Sequence, residues 1–220
     1  MSLRITLASS PESWIGPSLD ILERRFVALG HEVRRVQSAD CLAAGDLCFL
    51  LGCGFLVSRE ALGLHRHNLV VHESALPLGR GWSPLTWQIL EGASEIPITL
   101  FEAAEEVDAG RIYLQDTLRF EGHELVDELR SAQAAATLEL CERFVREFPT
   151  LVAGAVEQAG APSFYPRRRP EDSRLDVHKS LAEQFDLLRV ADSERYPAFF
   201  DHQGHRYVLA LKRLPEEETP

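Results

Sequence analysis

The six residues Asp46-Leu-Cys-Phe-Leu-Leu51 are apolar after the first and show no alternation. A run so short and so continuous reads as a strand covered on both faces, which calls for helices on each side of a sheet. The neighbouring segments agree. Residues 3–8 alternate and lean apolar, and Ser9-Ser10-Pro11 turns the chain. Ser18 to Leu29 places Leu19, Ile21, Leu22, Phe26, Val27 and Leu29 near helical period, and Gly30 stops it. Glu32–Val36 alternates as a second strand, Ser58 to Leu64 forms a short helix, and Leu69-Val70-Val71 is β-branched strand. Strands alternating with helices predict an α/β fold, a parallel, Rossmann-like sheet flanked by helices with ligands at the strand C-termini.

The second half continues the pattern. Ser83 and Pro84 read as N-cap and first residue of a helix carrying Leu85, Trp87, Ile89 and Leu90 and ending at Gly92, with Trp87 in the core. Strands follow at Ile96–Phe101 and Ile112–Leu118. Glu124 to about Gln158 reads as one long helical region, bent at Pro149 and stopped at Gly160. Residues 1–160 are therefore expected to form the main α/β domain, and 161–220 a linker and small C-terminal region. That region has a Pro- and Arg-rich connection to Asp176, a helix at about Val177–Val190, and a hairpin over Ala198–Leu211 turned at Gly204. The tail Pro215–Pro220 is expected to fray.

Several function classes are disfavoured. No apolar run approaches the roughly 18–20 residues of a membrane span, and no secretory leader pattern opens the sequence. Cys41, Cys48, Cys53 and Cys141 have no metal-ligand spacing. Cys48 and Cys53 read as buried free thiols, which predicts a reducing cytoplasm and no metal site. A formal net charge of -11 argues against nucleic acid, whose binders release counterions with a basic face. Arg167-Arg168-Arg169 is the one basic cluster, and on its own it reads as solvated linker.

Chemistry concentrates in two stretches. Strand 69–71 delivers His72 at its C-terminal tip, and Pro77, Gly79 and Gly81 then force a loop. After strand 96–101 comes Glu105-Glu106-Val107-Asp108-Ala109-Gly110, another turn with a carboxylate. Taken singly, a strand-end histidine is usually structural and Asp-Ala-Gly is a common turn. The pattern Val70-Val-His72-Glu-Ser74-Ala-Leu76-Pro77-Leu-Gly-Arg80-Gly81, followed 36 residues after the histidine by Asp108-Ala109-Gly110, resembles the folate-dependent formyltransferase family. The likeness is good over about residues 45–120. One position departs: Val70 stands where the family carries an asparagine.

The resemblance implies formyl transfer from 10-formyltetrahydrofolate to a primary amine, without a metal. His72 would donate to the oxyanion and Asp108 would accept the amine proton. Asn68, on the same strand face as Val70 and His72, is expected to contribute the missing donor, brought closer by a bulge at Val70-Val71. The folate slot would be Gly54, Phe55, Leu56 and Val57, with Ala104 and Glu106 in the other wall. Glu73, Ser74 and Arg80 would meet the acceptor, although on the residues alone Ser74 reads as bonding the loop backbone and Glu73 either as a surface residue or as one that reaches the incoming amine.

Among relatives, a sugar-nucleotide N-formyltransferase fits best, with a nucleotide-linked 4-amino sugar as partner and Arg167–Arg169 near its diphosphate. A glycinamide ribonucleotide formyltransferase would carry a glycine-bearing phosphate loop where this sequence has Ser9-Ser10-Pro11-Glu12. A methionyl-tRNA formyltransferase would carry a larger, basic C-terminal domain. A 10-formyltetrahydrofolate hydrolase and an inactive binding relative are the other classes. A homodimer is compatible with all of these readings.

Overall fold

The computed structural model describes residues 2–214, so the expected fraying of 215–220 lies outside the described residues. β1 (Arg4–Ala8), β2 (Glu32–Val36), β3 (Gly45–Leu50) and β4 (His65–His72) run parallel. A two-residue strand, β5 (Arg80–Gly81), lies in the loop beyond β4, and β6 (Glu95–Glu102) and β7 (Ile112–Arg119) complete the sheet. Its order is β2-β1-β3-β4-β6-β7.

The expectation of a parallel sheet needs correction, because β6 is antiparallel to β4 and β7 antiparallel to β6. The cause lies in the connections. Residues 73–83 loop around the tip of β4 instead of running back, so β6 starts from the end where β4 stops. The β6–β7 link is too short for a crossover, which needs a dozen or more residues. Pro97 fits this arrangement. β4 ends at His72 opposite Thr99, so Pro97, lacking an N–H, pairs only with the β7 side, at Thr117.

Side-chain alternation divides the sheet between two cores. Leu47, Phe49, Leu69, Ile98 and Leu100 meet Leu19, Leu22 and Phe26 of α1 (Gly16–Ala28) and Leu138, Cys141 and Phe144 of α4 (Val126–Arg146). Phe49 lies 5.5 Å from Phe26 and 6.3 Å from Phe144, ring centre to ring centre. Truncating such a residue to Ala typically costs about 3–5 kcal/mol. The opposite face carries Ala8, Cys48, Leu50 and Val70, packed with Phe55, Val57, Ala103 and the short α2 (Arg59–Leu62). Cys48 is buried as expected whereas Cys53 is only partly covered, and burial pushes both thiols up to about 12.

α3 (Pro84–Leu90) starts at Pro84 as anticipated, but Ser83 is left-handed (φ 49) and its hydroxyl caps nothing. The long helical region divides at Glu147 into α4 and α5 (Phe148–Ala153). β8 (Phe164–Tyr165) pairs with β5. The helix expected at 177–190 shrinks to α6 (Phe185–Arg189). Ahead of it the Gln184 side chain bonds Asp176, Lys179 and Ser180 backbone atoms and Glu183 bonds Ser180, so side chains occupy the groups a helix would use. β9 (Ala198–His202) and β10 (His205–Leu209) form the expected hairpin at Gly204.

Candidate active site

His72 closes β4 and is only 7 % exposed. Its Nε2 bonds the Gly79 carbonyl at 2.8 Å, so in the neutral ring this nitrogen carries the proton. The Asp108 Oδ2 stands 3.9 Å from the same nitrogen, and Gly81 N donates to that oxygen at 2.8 Å. The two sequence stretches therefore meet as expected. A gap of this size, slightly beyond a hydrogen bond, is usual before substrate tightens a site. Phe101 from β6 packs edge-on to the imidazole at 6.5 Å between centres.

The Asp-Ala-Gly turn is shaped by contact. Asp108 has φ 54, a conformation that L-residues adopt at a cost. Gly110 is needed because a Cβ there would lie 1.7 Å from the Glu102 carbonyl oxygen. Glu102 is itself fixed, since its carboxylate accepts from Asn68 N, the Tyr113 hydroxyl and the His67 ring. Burial, and next the Glu102 carboxylate, push the Tyr113 hydroxyl upward, which keeps it a donor.

A strap of chain past α5 ties the two loops together. Arg80 N donates to Ser163 O, the Ser163 hydroxyl accepts from Gly79 N, and Ser163 N donates to Pro77 O. Trp87, expected in the core, instead donates from its indole to Pro166 O and stacks on Tyr165, because α3 lies beside this strap. Gln158, a residue sequence reading passed over, donates from Nε2 to the carbonyls of Asp108 and Gly110 and accepts from Arg80 Nη2. No motif flagged it, as its partners lie 48 to 78 residues away.

The remaining candidates divide. Phe55, Val57, Val70 and Ala103 line one apolar wall beneath His72, Gly54 N is held by the Ser10 hydroxyl, and Leu56 is 77 % exposed. Ala104 and Glu106 lie exposed on the facing loop, with Glu106 Oε1 taking Arg80 Nη1 at 2.7 Å. Arg80 is thus committed to Glu106 and Gln158. Ser74 donates its N–H to His72 O, while its carbonyl accepts from Thr99.

The structure does not bring Asn68 to the pair. Its amide donates to Leu62 O, and β4 keeps an unshifted register with β3 through Val70, so the anticipated bulge is absent. Glu73, read alternatively as a surface residue, is buried beside His72, and burial pushes its carboxyl upward against the opposing pull of the His72 ring. The basic cluster also divides. Arg167 lies over the Trp82 ring, whereas Arg168 is buried against Ser173. Among the described residues there is no group of acidic, His and Cys side chains that could hold a metal ion and no helix long and apolar enough to cross a membrane.

The family model for formyl transferases matches residues 17–142. Among solved structures, a methionyl-tRNA formyltransferase from Clostridium thermocellum superposes with TM-score 0.80 at 19% identity, over 98% of this chain and 95% of that one. HypX from Aquifex aeolicus, in complex with tetrahydrofolic acid, gives 0.77 at 19% identity over 96% of this chain and 38% of its own. A 4-N formyltransferase from Francisella tularensis gives 0.70 at 16% identity, covering 96% and 97%. These likenesses establish the fold.

Proposed function

The chain belongs to the formyl transferase family, whose model spans more than half of it, and from that premise we propose that it moves a formyl group from 10-formyltetrahydrofolate to the 4-amino group of a nucleotide-linked sugar. The observation that carries the reading is the His72–Asp108 pair, 3.9 Å apart at the tip of β4 and beside the apolar wall of Phe55, Val57 and Val70.

The donor, when bound, supplies an activated formyl carbon. Phe55, Leu56 and Val57 are the residues that would hold its ring system, with the 104–108 loop opposite. Asp108 Oδ2, steadied by Gly81 N–H, takes the proton from the attacking amine and returns it to the tetrahydrofolate nitrogen as the bond from that nitrogen to the formyl carbon breaks. His72, held at Nε2 by Gly79, offers a second N–H to the developing oxyanion when its ring is protonated. Val70 supplies no amide there, and a missing oxyanion donor is typically worth about 100–1000-fold in rate, so modest turnover is expected.

The net charge of -11 favours a small acceptor over tRNA, and the loop Ser9–Trp14 lacks the glycine of a phosphate cradle. The test is mass-spectrometric transfer with 10-formyltetrahydrofolate and a panel of UDP- and dTDP-linked 4-amino sugars. One added formyl group on one sugar is expected, reduced at least about 100-fold in Asp108→Asn. Tetrahydrofolate release without formylated sugar would point to a hydrolase, and bound folate without turnover to a binding protein.

A further inference from the structure

We propose that Gln158 is a positioning residue for Asp108, acting as a three-way amide clamp between the two catalytic loops. This rests on the formyl-transfer reading above. Asp108 holds a left-handed backbone (φ 54) that a non-glycine residue keeps only when its surroundings over-determine it. Its carboxylate is aimed by Gly81 N–H, but among the described residues the one donor to its carbonyl oxygen is Gln158 Nε2, at 2.8 Å. The same nitrogen holds the Gly110 carbonyl at 2.8 Å, so both ends of the Asp-Ala-Gly turn hang from one amide. The amide oxygen receives Arg80 Nη2 at 2.7 Å, and Arg80 lies next to the Gly79 and Gly81 groups that hold His72 and Asp108.

Only one orientation of the amide satisfies all three contacts: its NH2 toward the two carbonyls, its oxygen toward the guanidinium. Gln158 is anchored two residues upstream, where Val156 exchanges both backbone hydrogen bonds with Ile112, the first residue of β7. The clamp is therefore built on the sheet itself. It joins a segment that sequence reading placed at the edge of the catalytic domain to the centre of the site.

The donor-plus-acceptor requirement makes the role separable from packing. Gln158→Glu keeps the size and the acceptor for Arg80 but sets an oxygen against the Asp108 and Gly110 carbonyls. Gln158→Ala removes all three bonds. Amide hydrogen exchange at Gly81 reports directly on the Asp108 carboxylate, because that N–H is bonded to it. In both variants Gly81 exchange is expected to quicken at least tenfold. kcat is expected to fall about 10–100-fold with KM for the formyl donor within threefold, as for a misplaced catalytic group. A space-filling or Arg80-tethering role predicts Gln158→Glu near wild type in both measurements. Gly81 exchange within threefold of wild type in the two variants overturns the proposal, whatever turnover does. Wild type without formyl transfer overturns the reaction instead, and Gly81 exchange still decides the position of Asp108.

Discussion

Replacing Gly110 by alanine tests the contact on which the Asp108 turn is built. The new Cβ would lie 1.7 Å from the Glu102 carbonyl oxygen and 2.8 Å from its carbon, where at least 3.0 Å is needed. The two backbones must part by about 1.3 Å. Glu102 resists, because its carboxylate is bonded to β4 and to Tyr113 and its own N–H to Arg111 O. The turn gives way instead, stretching the Asp108–Gly81 bond from 2.8 Å to well past hydrogen-bonding range. A displacement near 1 Å at a catalytic group costs on the order of 100-fold in rate. Overpacking costs about 1–3 kcal/mol in stability, roughly 2–12 °C in Tm for a chain this size. The assay pairs formyl transfer with thermal unfolding of the same sample. Folded Gly110→Ala protein with kcat/KM within threefold of wild type would refute the placement of Asp108 in the reaction.

Three further outcomes are expected. The Glu73 carboxyl is pushed above its ordinary value by burial, so between the unfolded-state and folded-state values the native protein holds a proton that the unfolded chain has lost. Stability therefore falls as pH rises through that window, and Glu73→Gln should match wild type near pH 4 and exceed it increasingly above, as read by Tm against pH; a pH-independent difference counts against the buried acid. Asn68→Ala removes the bond to Leu62 O, costing about 1 kcal/mol by denaturant titration while leaving kcat within threefold; a loss of 100-fold would restore Asn68 to the chemistry. Titration of the native protein with a thiol reagent at pH 8 should label exposed Cys41 quickly and leave Cys48, Cys53 and Cys141 unreacted until unfolding, since burial raises all three.

The amino-acid sequence by itself determined most strands and helices of the first half and the hairpin at Gly204, because apolar period and turn residues are local signals: β3, the end of β4, α1 and its stop at Gly30 lie where the pattern puts them. It also marked His72 and Asp108, through one motif pair at a fixed interval. What only the tertiary structure decided depends on contacts between distant segments. Strand direction was one such matter, since a short connection and a long one read alike in composition, and β6 reversed because residues 73–83 stay at the tip of β4. Side-chain commitment was another. Asn68 shares a strand face with His72, but that spacing does not reveal that its amide is bonded to Leu62. Glu73 read equally as a surface or an acceptor-facing residue and is buried, as no local rule counts the atoms that a folded chain packs around a carboxylate. Gln158 carried no signal because a clamp is defined by three partners that become neighbours only when strap, turn and loop close on one another.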